Sequence, residues 1–164
     1  MLHWSSIDSI DYLARLGTAV FIGVVFGINR EIHQAPIGVR TLSLVAIGSA
    51  AAVMLFAGSS NSAELHPDAV SRVLQGILTG IGFLGAGVIL HAPDGKPIHG
   101  LTTAATIWVT AVFGIACGLG AWPLVMIAGT FALIVLVVGG PLERVVHRWY
   151  DKMNSTQSKE HDHL

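Results

Sequence analysis

Charge is scarce in this chain. Only 12% of its 164 residues are Asp, Glu, Lys or Arg, against 52% that are hydrophobic, and a soluble protein ordinarily carries roughly twice that charged share. With a mean hydropathy of +0.67, such a chain cannot cover its apolar area with its own polar residues. That excludes an ordinary water-soluble globule and points to a bilayer as solvent. The net charge of −1 gives no global attraction to nucleic acid. A single cysteine, Cys117, excludes an internal disulfide framework; within an apolar run it reads as a small packed hydrophobe rather than a reactive thiol. A basic leader is also missing. Asp8, Asp11 and Arg15 precede or open the first apolar run, so no cleaved signal peptide is expected.

Carboxylates are missing from the apolar runs themselves, where Glu31 stands only at a boundary. Magnesium takes carboxylate and water oxygens, and a cation pore is built from rings of carboxylates or carbonyls. The eight histidines, His3, His33, His66, His91, His99, His147, His161 and His163, are scattered, and none pairs inside a run. His161 and His163 sit in a polar tail that is expected to have no metal role. No nucleophile–base pair or phosphate loop is visible. The GxGxxG pattern at Gly80 to Gly85 lies inside an apolar run with no strand before it, so it is not a dinucleotide fingerprint. The expectation is a protein that is not an enzyme, with no cofactor and no metal site.

What the chain does have is five runs of membrane-crossing length, about 17–25 residues. They cover Tyr12 to Ile28, Val39 to Ala57, Ala69 to Leu90, Leu101 to Leu119 and Trp122 to Val138. Turn-forming residues separate them, at His33 to Pro36, Gly58 to Ser62, Pro93 to Pro97 and Gly118 to Pro123. The fold expected is an all-α integral membrane protein with five transmembrane helices over 1–140. With the N-terminus outside, Arg30, Arg40, Lys96, Arg144, Arg148, Lys152 and Lys159 fall inside, and only Arg15 and Arg72 fall outside. That bias predicts N-out, C-in. Trp4, Trp122 and Trp149 fall near the expected membrane surfaces, whereas Trp108 is mid-span and expected to be a packing residue. Gly139-Gly140-Pro141 ends the fifth run. Leu142, Val145, Val146 and Trp149 then share one helical face, so 141–152 is expected to be an interfacial amphipathic helix. Residues 153–164 are polar and expected to be disordered.

Small residues recur in the runs at four-residue spacing. Ala19, Gly23 and Gly27 form one row, and Thr102, Thr106, Thr110, Gly114 and Gly118 form another. The third run carries Gly76, Gly80, Gly82, Gly85 and Gly87 on several faces. In lipid, helices gain little hydrophobic energy by meeting, and small residues let their backbones approach. These positions therefore read as helix-packing and interaction surfaces, with the third helix expected at the centre of the bundle. A ligand path lined by exposed backbone is the alternative. Asn29, Arg30, Glu31, Arg40 and Arg72 form a set of boundary groups. They serve topology and lipid headgroups, or they bury a charge cluster of Glu31 with Arg30 or Arg40.

The stretches GIGFLGAGVIL (80–90) and GLTTAATIWV (100–109) resemble the MgtC/SapB family, as do Gly27-Ile28-Asn29-Arg30-Glu31 and Gly38-Val39-Arg40-Thr41. The resemblance covers about Leu13 to Gly140. It departs from the family's pattern at Asn29, where an acid is usual, at His99, where an arginine is usual, and near Gly76, where a glutamine is usual. The resemblance implies a multi-pass protein of the bacterial inner membrane, linked to magnesium homeostasis and virulence. It implies a regulator that binds other membrane proteins, among them a P-type magnesium ATPase or the rotary ATP synthase; the small-residue ridges themselves lead to the expectation of a homo-oligomer. A transporter or channel for magnesium or a small solute is the alternative. Membrane lipid is the remaining partner; nucleic acid is not one.

Overall fold

The computed structural model describes residues 6–57, 67–89 and 100–161, with side chains over 9–57, 68–89, 100–142 and at Trp149. Among these residues the chain is all helical: α1 (Ser6–Ile32), α2 (Val39–Ala57), α3 (Pro67–Ile89), α4 (Leu101–Gly118) and α5 (Trp122–His161). All five helices are long and apolar enough to cross a membrane. The turns expected at Gly58 to Ser62 and Pro93 to Pro97, together with Trp4, His66, His91, His99 and His163, lie outside the described residues.

Two helix ends show how the chain turns without breaking its backbone bonding. At the end of α1, the Ala35 N–H donates to the Arg30 carbonyl and the Gln34 N–H to the Glu31 carbonyl, each at 3.0 Å. Gln34 takes the left-handed conformation, with φ 51°. At the end of α4, the Ala121 N–H donates to Ala116 and the Gly120 N–H to Cys117, with Gly120 at φ 69°. Both are Schellman caps, which satisfy carbonyls that the helix itself leaves open. Pro36 and Pro123 follow within three residues and prevent continuation.

The chain divides into two compact units, Met1–Ile127 and Ala128–Leu164. In the first, α2 packs on α1 and on α4, α1 also reaches α4, and α3 leans chiefly on α4. The core is made of Ala19, Phe26, Leu42, Ala46, Ala50, Val53, Ile107, Ala111 and Cys117, each at most 2% exposed. Phe26 and Phe113 meet edge to face, with centroids 5.5 Å apart.

Two expectations are corrected here. The central helix is α4, not α3: most of α4 is buried, whereas the apolar window of α3 has no buried residue. The glycines of α3 are too many for one neighbour to cover, and α4 presents its own small row toward α2. Trp108 is 48% exposed and projects from α4 instead of packing inside; an indole is too large for a face built of threonine and alanine.

The second unit is the greater part of α5. The helix runs on through Gly139, Gly140 and Pro141 to His161, where the sequence predicts a break and then a disordered tail. Proline's fixed φ is compatible with a helix, and Leu142, Glu143, Arg144, Lys152 and Met153 are good helix formers. Phe131, Val135 and Leu142 are more than half exposed.

Candidate functional site

The small rows of α1 and α4 both close on α2. A Cβ built on Gly23 would lie 2.5 Å from Ser43 Cα, and one on Gly27 would overlap Val39 Cα. On α4, a Cβ at Gly114 would overlap the Ala46 carbonyl oxygen and come within 2.9 Å of Ser49 Cβ. At Gly118 it would meet the Ala50 carbonyl oxygen at 2.7 Å. These four glycines are buried, as are Thr106 and Thr110; Thr102 is exposed. The two threonines satisfy their hydroxyls locally. Thr106 Oγ1 donates to the Thr102 carbonyl and Thr110 Oγ1 to the Thr106 carbonyl, each at 2.7 Å. Neither needs a partner across the interface. From these contacts α1 and α2 run antiparallel, and α2 and α4 run parallel.

The sequence points to both rows but not to their common partner. The signal was present: Ser43, Ala46, Ser49 and Ala50 of α2 are small at spacings of three and four. On α3 the pattern differs. Gly85 meets Ala104 Cβ at an ordinary 3.6 Å, while Gly76, Gly80, Gly82 and Gly87 have nothing within 4 Å. Gly76 and Gly80 line an open groove of about 280 Å³ between α2 and α3, together with Leu44, Ser49, Ile77 and Leu84. Beyond it Phe83 is 81% exposed. The small residues of α1 and α4 thus build the fold, Thr102 excepted, whereas four glycines of α3 lie bare.

The boundary charges are arranged differently from the cluster considered above. Glu31, Arg40 and Arg72 are all exposed, and the ion pair found among the described residues is between Arg15 and Asp11. Glu31 reaches back over Gly38, where a Cβ would lie 3.1 Å from its Oε2, rather than to Arg40. Both side chains are exposed, so pairing them would gain little.

Two arginines of α1 instead grip the two ends of α4. Arg15 Nη1 donates to the Gly118 carbonyl at 2.8 Å. That carbonyl belongs to the last turn of α4 and is left open by the cap at Gly120. Arg15 Nε lies 2.7 Å from Asp11 Oδ2 as an ion-pair contact. Glycine suits position 120 for its positive φ, and a Cβ there would crowd the Arg15 guanidinium at 3.2 Å. At the other end Arg30 Nη2 donates to Thr103 Oγ1 at 2.7 Å. Arg15 Nε, Asn29 Oδ1, Arg30 Nε and Ser43 Oγ are buried without hydrogen-bond partners among the described residues, although Arg15 Nε has its ion-pair contact with Asp11. The same residues hold no group of three His, Cys, Asp or Glu side chains able to ligate a metal.

The sequence model of the MgtC family matches residues 16–145. Protein SrpB of Synechococcus elongatus is 45% identical over 140 residues, covering 80% of this chain and 76% of SrpB. Protein MgtC of Salmonella typhimurium is 40% identical over 109 residues, covering 66% of this chain and 44% of that protein. A Haemophilus influenzae protein is 34% identical over 149 residues, covering 87% of this chain and 59% of that protein. The chain therefore spans less than half the length of the Salmonella protein. No solved structure matches it.

Proposed function

The chain belongs to the MgtC family, and from that premise we propose that it is a non-enzymatic regulator or accessory protein of magnesium or envelope homeostasis. It acts by binding other membrane helices, including those of its own copies. The observation that carries this reading is the bare surface of α3: Gly76, Gly80 and Gly87 share one helical face and Gly82 lies on another, and none of the four has a neighbour within 4 Å. In lipid, an uncovered small-residue face is where a further helix can approach closely. Each of the described charged side chains that reaches the interior is engaged with helix α4, which leaves chemistry little to work with. The protein lies in the bacterial inner membrane, N-out and C-in, as the distribution of Lys and Arg favours. Its partners are a second copy and, by family, a P-type magnesium ATPase or the rotary ATP synthase.

The test is the mass of the purified protein in mild detergent, by light scattering. Wild type is expected as an oligomer and Gly80→Leu as a monomer with unchanged helix content. A monomer in both removes self-association. In liposomes with a magnesium-sensitive dye no flux is expected; robust flux would replace this reading with transport.

A further inference from the structure

The two sides of the glycine line on α3 are unlike each other. At about 100° per residue, Gly76, Gly80 and Gly87 lie within about 40° of one another around the helix. Phe83 stands to one side of them, about 40° from their mean direction, and is 81% exposed. Ile77 and Leu84 stand to the other side, about 60–80° round. There they form one wall of the open groove of about 280 Å³, and Leu44, Gly48 and Ser49 of α2 form the other. Gly48 is exposed and has nothing within 4 Å of the position a Cβ would take. A large side chain and an open groove thus lie on opposite flanks of one helix. They also lie at one depth, because α3 lines the groove with residues between Gly76 and Leu84, and Phe83 falls within that stretch.

Copies of one chain share one orientation in a membrane, so two α3 helices meet in parallel, about a two-fold axis along the membrane normal. Such an axis sets one flank of each helix against the opposite flank of its twin. With the glycines on the line of contact, Phe83 of each copy faces the groove of the other, and both contacts form together. Symmetry supplies the match in depth that an unrelated helix would have to supply by chance. Phenylalanine can bury about 150–250 Å². Two rings that are 81% exposed, with the groove surface that each covers, would remove about 500–800 Å². The helix backbones approaching along the glycine lines bring the contact toward the roughly 1,000 Å² expected of a specific interface. In lipid the gain is one of packing, since neither flank leaves water. A phenyl ring fixes few torsions in the groove, whereas an acyl chain laid there would give up many.

We propose that the α2–α3 groove is the seat for Phe83 of a second copy, so that α3 pairs with its twin through two reciprocal ring-in-groove contacts across the glycine line. This rests on the reading of α3 as a docking face and names what that face docks.

The experiment uses the full chain in native membranes, with Phe83 replaced by a photoreactive benzophenone analogue of phenylalanine. Irradiation is expected to give covalent dimers whose cross-link maps, by mass spectrometry, to residues 44–49 of the other copy. Cross-links to lipid alone, or dimers joined elsewhere, overturn the proposal. Gly48→Leu fills the groove at an exposed position. It is expected to keep the helix content and unfolding temperature of the parent chain while losing those dimers. Undiminished cross-linking to 44–49 in Gly48→Leu also overturns the proposal. If Gly48→Leu does not fold, the map of the cross-link in the otherwise unaltered chain decides. Disulfide dimers of Gly80→Cys in the same membranes separate the two claims. Their presence without a cross-link to 44–49 removes the ring-in-groove seat and keeps the α3 face; their absence, with no cross-link, removes both.

Discussion

Gly114→Leu is expected to destroy the bundle. Even a Cβ at this position would overlap the Ala46 carbonyl oxygen and press on Ser49. The obstacle is backbone, which cannot rotate away as a side chain can. To admit four carbons, α2 and α4 must separate along the interface that also holds Gly118 against Ala50. Overpacking of a tight core costs about 1–3 kcal/mol, sometimes more, and here the upper end or beyond is expected because helix α4 is the most buried of the five. The same substitution at Gly80, where nothing lies within 4 Å, should change stability by no more than about 0.5 kcal/mol. Thermal unfolding in detergent, followed by helical circular dichroism, reads both. Similar losses at 114 and 80 would mean that the α2–α4 contact is not as drawn.

Arg15→Met is the second large loss. The change keeps most of the aliphatic stem but removes the donor to the Gly118 carbonyl. A hydrogen bond from a charged group contributes about 1.5–3 kcal/mol, and the carbonyl left behind lies at a helix end with no other described partner. The contact with Asp11 adds little, since the side chains are 27% and 48% exposed and solvent screens the pair. Asp11→Asn should therefore cost under about 1 kcal/mol, measured in the same unfolding experiment. If Asp11→Asn matched Arg15→Met, the ion pair and not the cap on α4 would be the source of stability.

These two predictions divide what was legible in the sequence from what was not. The spans could be read because lipid imposes length and composition on each one separately. Val39 to Ala57 coincides with α2, and Leu101 to Leu119 overshoots α4 by one residue. Gly23, Gly27, Gly114 and Gly118 could be read as contact points because four-residue spacing puts them on one helical ridge. What they touch could not be read, because spacing within a helix carries no information about its neighbour. That is why the row on α4 was visible while α2, its partner, was not. The abundance of glycine on α3 suggested a central helix, yet abundance on several faces is equally what an outer helix needs to meet further chains. The grip of Arg15 and Arg30 on α4 was out of reach for a similar reason. Each looked like a boundary charge, and only the antiparallel approach of α1 and α4 places them at opposite ends of one helix. At Pro141 local reasoning gave a break, because the sequence shows a proline's missing donor but not whether the flanking turns stay helical.

The central claim is that the buried glycines make the fold while those left bare on α3 make the docking surface. Single cysteines at positions 76 and 80, in a Cys117→Ser background and in native membranes, test it most directly. A disulfide requires Cα atoms about 4.4–6.8 Å apart, a separation that closely packed helices reach and loosely neighbouring ones do not. Mild oxidation should yield covalent dimers from Gly76→Cys and Gly80→Cys, and little from Leu13→Cys on the exposed side of α1, where the residue is 74% exposed. Equal cross-linking at all three positions, or none at 76 and 80, would contradict the account.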